Sequence, residues 1–246
     1  MTTSVPPQSI HTGRHGHEVH RSVSGGAARA AIFGISDGLV TNVSLIIGLA
    51  GARPTPGVVR LAGLAGLAAG ACSMAVGEYV SMRAQRELLE RELHRERSEI
   101  RQHPEAEHRE LVMIYQERGL APDLAHRVAT SFMRDEDLAL ETHAREELGI
   151  DPTDLGSPVA AAAASFGSFA LGAAVPLAPW LAARGAGAVV ATIVLASVTS
   201  LLVGALLGHF AGRNWVRSAV RQFGLSALAA VVAYVIGLAA GRAGIR

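Results

Sequence analysis

Residues 61–102 read LAGLAGLAAGACSMAVGEYVSMRAQRELLERELHRERSEIRQ. Residues 61–82 are mostly apolar, and Glu78 is their only charged residue. Residues 83–102, in contrast, are dominated by Arg and Glu. About 20 apolar residues are enough to span the hydrocarbon of a bilayer. Because residues 83–102 lack Gly and Pro and are rich in helix-forming side chains, we expect a single helix that leaves the membrane without a break.

Four further stretches have the length and composition of membrane spans: about residues 30–52, 159–183, 186–211 and 223–241. Half of the chain is hydrophobic and only 17% is charged, where a soluble domain carries about a quarter charged residues. Apolar helices buried in a soluble protein are the alternative, but too little polar surface exists to cover five of them. We therefore predict an all-α membrane protein with five transmembrane helices.

The charges are segregated along the chain. Of the 21 acidic residues, 18 lie in residues 83–154 with 11 Arg, which gives that stretch a net charge of −7 and the rest +8. We divide the chain into a polar amino-terminal tail (1–26), two transmembrane helices (27–82), an acidic region (83–156) and three transmembrane helices (157–246). Pro104 and Gly119 predict helix ends inside the acidic region, which we expect to form three helices between spans two and three.

The distribution of Arg predicts the orientation, because cytoplasmic loops carry an excess of positive residues. Five spans place the two termini on opposite sides. The loops on the amino-terminal side carry Arg14, Arg21, Arg29, Arg83, Arg86, Arg213, Arg217 and Arg221. The other side carries only Arg53, Arg60, Arg184, Arg242 and Arg246. We expect the amino terminus and the acidic region in the cytoplasm and the carboxyl terminus outside.

Composition also excludes some classes of function. The single cysteine, Cys72, excludes an intrachain disulfide framework and a thiolate metal site. The basic residues are not interleaved with aromatic residues, so a nucleic-acid partner is not indicated.

Six side chains of the acidic region are spaced three or four residues apart, so that pairs of them share a helix face. They are Glu96, Glu99, Glu107, Glu110, His143 and Glu147. Carboxylates are hard ligands for divalent cations, and imidazole suits transition metals. Because a break at Pro104 lets two of the helices face each other, we predict a metal site built from these six. A solvated helix with Glu–Arg pairs is the alternative that spacing alone leaves open.

Asp37 is the only charged residue within residues 30–52. A carboxylate at the centre of a spanning helix costs roughly 2.5–3.5 kcal/mol on insertion scales and indicates a functional site. Thr41 and Ser44 extend a polar stripe from it, and Met74 and Glu78 share a face of the second span. We predict that these five residues line a cation path. The alternatives are a protonated Asp37 that holds helices together by hydrogen bonds, and Met74 as an ordinary packing residue.

Two small-residue pairs, Gly34 with Gly38 and Gly66 with Gly70, permit close approach of helices. They predict either packing within the chain or contacts between two copies.

In combination these segments resemble the vacuolar iron transporter family, over nearly the whole chain from about residue 22. The matching pieces lie in the first span, in the second span, along the Glu-rich helix, and near the third and fifth spans. They are residues 34–39 (GISDGL), 73–79 (SMAVGEY), 96–100 (ERSEI), 103–104 (HP), 146–149 (EELG), 175–179 (VPLAP), 212–213 (GR) and 217–218 (RS).

The resemblance implies a homodimer of five-helix subunits that exports ferrous iron, and often manganese, from the cytosol in exchange for protons. It implies that Asp37 and Met74 line the path between subunits. It also implies a cytoplasmic metal-binding domain whose carboxylates match Glu96, Glu99, Glu107, Glu110 and Glu147. Two positions depart from the family pattern: His143 stands where some members carry Met, and Gly66 where some carry an acidic residue. Glu78 is a candidate substitute for the latter.

We therefore expect a transporter and not an enzyme, in a bacterial plasma membrane. The expected partners are Fe²⁺, Mn²⁺ and other divalent ions such as Zn²⁺, with protons, membrane lipid and a second copy of the chain. A di-iron ferroxidase is an alternative function. Such a site requires a Glu-x-x-His motif on each of two helices, and this chain contains only Glu105-x-x-His108. A membrane protein that senses metal or recruits a partner is the other alternative.

Overall fold

The computed structural model describes residues 26–244, with side chains from residue 29. This part of the chain forms eight helices and contains no strand: α1 (Gly26–Ala52), α2 (Pro56–Gln102), α3 (Pro104–Glu117), α4 (Pro122–Phe132), α5 (Glu136–Glu146), α6 (Pro158–Ala182), α7 (Gly185–Phe210) and α8 (Trp215–Arg242). Helices α1, α2, α6, α7 and α8 are long and apolar enough to cross a membrane, so the predicted five spans are confirmed. The polar tail expected over residues 1–26 falls, apart from its last residue, outside the described residues.

Helix α2 is unbroken, as its sequence predicts. Its 47 residues extend about 70 Å at 1.5 Å per residue, more than twice the roughly 30 Å of bilayer hydrocarbon. The charged half is supported by ion pairs four residues apart, Arg83–Glu87 at 2.6 Å and Arg86–Glu90 at 2.7 Å. A helix of this length ties the acidic region rigidly to a membrane span.

Helix α1 lies at the centre of the apolar bundle, in contact with α2, α6, α7 and α8. It crosses α6 so closely that a Cβ added at Gly38 would overlap the carbonyl oxygen of Phe169, and one at Gly172 would overlap that of Ile35. The remaining glycines of the two predicted pairs also face helices of the same chain: Gly34, Gly66 and Gly70. The small-residue pairs therefore serve packing within the chain.

This crossing fixes the rotation of α1. Because Gly34 and Gly38 face α6, the residues Phe33, Asp37 and Thr41, each four apart, lie on the exposed side of the helix. We call these three residues the outer face of α1.

The acidic region packs around a small apolar cluster of Ile100 from α2 with Ala139 and Leu140 from α5. Two arginines of α2 bind the start of α5: Arg97 Nη2 lies 2.8 Å from Asp137 Oδ1, and Arg101 Nη2 lies 2.7 Å from a Glu136 oxygen. These contacts place the start of α5 beside the end of α2, and α5 then runs back along α2 so that His143 lies beside Glu96.

Candidate functional site

Four side chains from three helices converge in the acidic region, and we call them the donor cluster. Glu96 comes from α2, Glu107 from the first turn of α3, His143 from α5, and Glu147 immediately follows α5. One ligand atom from each lies within 4.8 Å of all the others. His143 Nδ1 is central, at 3.3 Å from Glu96 Oε1, 3.6 Å from Glu147 Oε2 and 3.8 Å from Glu107 Oε2.

Three of the four side chains of the donor cluster are buried, Glu147 is exposed, and the cluster is incompletely hydrogen-bonded. His143 is fully buried, Glu96 is 3% exposed and Glu107 is 8% exposed. Neither ring nitrogen of His143, nor Glu96 Oε1, has a hydrogen-bond partner among the described residues. Buried polar atoms without partners cost stability, so this arrangement indicates a site that is completed by another species.

The carboxylates of the donor cluster hold protons more tightly than ordinary glutamates. Burial raises the pKa of Glu96 to about 7, and the neighbouring Glu147 and Glu107 carboxylates add to the shift. Burial, with carboxylate repulsion in second place, also raises the pKa of Glu107 and of Glu147. Burial lowers the pKa of His143, which favours the neutral imidazole that a metal requires. A divalent cation would offset both the cost of desolvation and the repulsion between the carboxylates.

The donor set has the chemistry of a divalent transition-metal site. Carboxylate oxygens alone favour magnesium, calcium or manganese, and an imidazole nitrogen adds affinity for iron, zinc and similar ions. Three carboxylates and one neutral imidazole therefore suit Fe²⁺, Mn²⁺ or Zn²⁺.

The structure places Glu99 and Glu110 outside the donor cluster. Glu99 Oε1 accepts a hydrogen bond from Arg95 Nε at 3.2 Å. This contact agrees, for Glu99, with the alternative interpretation of a solvated helix with Glu–Arg pairs. Both carboxylates nevertheless contribute to the raised pKa of Glu147 and Glu107. They add negative charge close to the rim of the cluster.

These pKa shifts predict the pH dependence of metal binding. Because a metal displaces protons from its ligands, affinity should fall as pH drops from 8 to 6, through the pKa of Glu96 at about 7. Near pH 7 each ion bound should release about half a proton from Glu96, and a larger fraction as pH falls toward 6. Titration calorimetry of the whole protein in two buffers of different ionisation enthalpy measures this release. A pH-independent affinity with no proton release would contradict the assignment of Glu96 as a ligand.

The predicted path residues of the first span lie along one side of α1. Asp37 and Thr41 are exposed on the outer face, and Ser44 is half-buried with an Oγ that has no hydrogen-bond partner among the described residues. Asp37 is thus not enclosed by its own chain. A carboxylate on an apolar helix surface requires an aqueous opening or a covering partner.

The path residues predicted on α2 have neighbours of their own. Met74 is half-buried and packs against the cluster formed by Ala71 and Phe169, which agrees with a packing role for part of its side chain. Glu78 is 17% exposed at its side chain and lies 3.6 Å from Arg29 Nη2 at the start of α1. The sequence does not indicate this pair, because Arg29 lies just before the apolar stretch.

One polar contact beside Asp37 was missed. Gln222 Nε2 on α8 donates a hydrogen bond of 2.6 Å to Ser36 Oγ, directly adjacent in sequence to Asp37. The sequence shows only that Gln222 lies one residue before the apolar stretch of α8. That position does not indicate which residue the glutamine contacts. The contact ties α8 to α1 at the level of the carboxylate.

Comparison with known proteins gives a consistent result. Residues 28–238 match the VIT family. A vacuolar iron transporter of Acanthamoeba castellanii is 37% identical over 226 residues, which cover 89% of this chain and 82% of that protein. Vacuolar iron transporter 1 of Arabidopsis thaliana is 31% identical over 95% of this chain and 93% of its own length. A vacuolar iron transporter of Toxoplasma gondii is 32% identical, covering 92% and 78%.

Proposed function

The chain belongs to the VIT family, and from that premise we propose that it exports ferrous iron, and also manganese, from the cytosol in exchange for protons. Its relatives are named as iron transporters, and the chain is a transporter, not an enzyme. The observation that carries the proposal is the donor cluster: three carboxylates and an imidazole, three of the four side chains buried, with unpartnered atoms on Glu96 and His143 that suit a divalent transition metal.

We propose that the acidic region captures the metal on the cytoplasmic side. The negative charge of this region raises the local concentration of cations, and the raised pKa values of Glu96, Glu107 and Glu147 couple metal binding to proton release. The rigid α2 connects the cluster to the second span, so that captured metal is held close to the membrane entrance.

Passage through the membrane is assigned to Asp37, with Thr41, Ser44, Met74 and Glu78 along the same route. In a low-dielectric setting a charged carboxylate is disfavoured unless a cation offsets it. Asp37 would therefore bind either a metal ion or a proton, and this alternation is the basis of the exchange. The outer face of α1 is left open by the single chain, which supports a homodimer in which the second copy covers it and encloses the path.

A flux assay with the whole protein in liposomes tests this function. We expect uptake of Fe²⁺ and Mn²⁺ that accelerates when the lumen is acidic, and no uptake of Ca²⁺, which takes six to eight oxygen ligands. Zn²⁺ is tested in the same assay as a competitor of Fe²⁺ uptake. Metal binding without flux would favour a metal-sensing protein instead, and oxygen consumption on addition of Fe²⁺ would favour a ferroxidase.

A further inference from the structure

Three arginines form a basic cavity at the start of α8. Arg217 and Arg221 lie four residues apart on one face of α8, and Arg213 lies in the turn that precedes the helix. Together with Asn214 and Ser218 they line a cavity of about 690 Å³. We call it the arginine cavity.

The positive charge of the arginine cavity is not neutralised within the described side chains. No carboxylate of residues 29–244 lies within 4.0 Å of any of the three guanidinium groups, whereas seven of the eleven arginines of the acidic region pair with carboxylates of that region. The first turn of α8 contains no acidic residue and adds the partial positive charge of a helix amino terminus. The cavity is therefore suited to an anion.

The cavity is preformed by tight packing of α7 against α8. A Cβ added at Gly208 would lie 2.8 Å from Ser218 Oγ, and one at Gly204 would lie 2.8 Å from the Ser218 carbonyl oxygen. The Asn214 side chain caps α8 by accepting a 3.0 Å hydrogen bond from the backbone N–H of Arg217. The backbone that carries the three arginines is thus held in place without a ligand.

The cavity lies where the apolar surface of α8 begins. Arg221 precedes the uncharged stretch 223–241 by two residues. Trp215, Val216 and Val220, on the same two turns, are 59%, 49% and 60% exposed. Tryptophan is enriched at the boundary between lipid and water, so these side chains mark the headgroup level of the membrane.

We propose that Arg213, Arg217 and Arg221 bind the phosphate headgroup of an anionic phospholipid, whose acyl chains lie along the exposed apolar residues beside them. Guanidinium groups bind phosphate oxygens through paired hydrogen bonds. The apolar neighbours favour a lipid over a soluble phosphate. In the orientation predicted from the Arg distribution, the cavity faces the cytoplasmic leaflet, where anionic lipids attract basic segments.

Quenching of Trp215 by brominated lipid tests the proposal. The chain has two tryptophans, and Trp180 is buried, so Trp180→Phe leaves Trp215 as the reporter. The whole protein is placed in phosphatidylcholine vesicles with increasing brominated phosphatidylglycerol or brominated phosphatidylcholine. We expect half-maximal quenching at a roughly tenfold lower fraction of phosphatidylglycerol, with a preference that weakens as salt increases.

The variant Arg213→Gln/Arg217→Gln/Arg221→Gln should lose this preference. The matched control, Arg184→Gln/Arg242→Gln, removes arginines at the other ends of α7 and α8 and should keep it. Native mass spectrometry of the protein with both tryptophans, and of the triple variant, gives a second measurement: retained phosphatidylglycerol should be present only with the arginines.

Several results would overturn the proposal. Equal quenching by the two lipids, or a preference that survives in the triple variant, would show that the cavity does not bind the headgroup. Loss of the preference on addition of millimolar glycerol phosphate would assign the cavity to a soluble phosphate. A triple variant with altered oligomeric state but unchanged lipid preference would assign it to a protein contact.

Discussion

Asp37→Asn should abolish proton-driven uptake of Fe²⁺ in liposomes. The charge of Asp37 in the lipid zone carries a penalty of roughly 2.5–3.5 kcal/mol that a bound cation offsets. An amide has no charge to offset and cannot exchange a cation for a proton. Uptake by the variant should therefore fall to the rate of protein-free liposomes.

The substitution should leave the fold intact, which makes the result interpretable. Asp37 is exposed on the outer face of α1, while the tight crossing with α6 is made by the neighbouring Gly34 and Gly38 and not by Asp37 itself. Asparagine has nearly the same size as aspartate. Size-exclusion chromatography in detergent should therefore give the wild-type profile.

Two control variants test whether the loss of uptake is due to the charge of Asp37. Asp37→Glu keeps the carboxylate and should retain measurable uptake. Phe33→Leu changes a neutral residue one turn away on the same exposed face and should stay within about twofold of the wild-type rate, because residues without charge contribute little to the cation's stabilisation. Wild-type uptake by well-folded Asp37→Asn protein would exclude Asp37 from the path.

The membrane helices could be predicted from the sequence because each depends mainly on local properties. Length and apolar composition identified five spans, and Pro104 marked the end of α2. The rotation of the helices could not be predicted in this way. Gly34 and Gly38 were compatible with a contact inside the chain or between copies, and only the position of Phe169 on α6 decides between them.

Four of the six predicted side chains form the donor cluster. Which four could not be predicted, because this also depends on the rotation of the helices. Spacing grouped Glu96 with Glu99 as one ligand pair, but residues three apart differ in direction by about 60°, and the structure leaves Glu99 outside the donor cluster. Which of the two turns inward depends on how α5 packs on α2 through Ile100 and Leu140. The ion pair of Glu78 with Arg29 likewise depends on how α1 and α2 cross, which local sequence does not encode.

Glu96→Gln should lower the affinity of the acidic region for Fe²⁺ or Mn²⁺ by about 100-fold or more, since loss of a group that merely supports a ligand already costs 10–100-fold. Glu96 contributes a central, almost fully buried carboxylate. Glu99→Gln is the matched control, on the same helix and three residues away. Its carboxylate is paired with Arg95, so affinity should change by less than about fivefold. Calorimetric titration at pH 8 measures both.

The same Glu96→Gln substitution should stabilise the metal-free protein at pH 8. The raised folded-state pKa of Glu96 means that stability is lost as pH rises from the usual glutamate range through about 7, and glutamine removes that loss. Hydrogen exchange of residues 83–156 should therefore be slower in the metal-free variant than in the wild type, and faster than in the metal-loaded wild type. A variant that is less stable without metal would show that Glu96 holds the acidic region together, and the loss of affinity would then reflect unfolding and not the loss of a ligand.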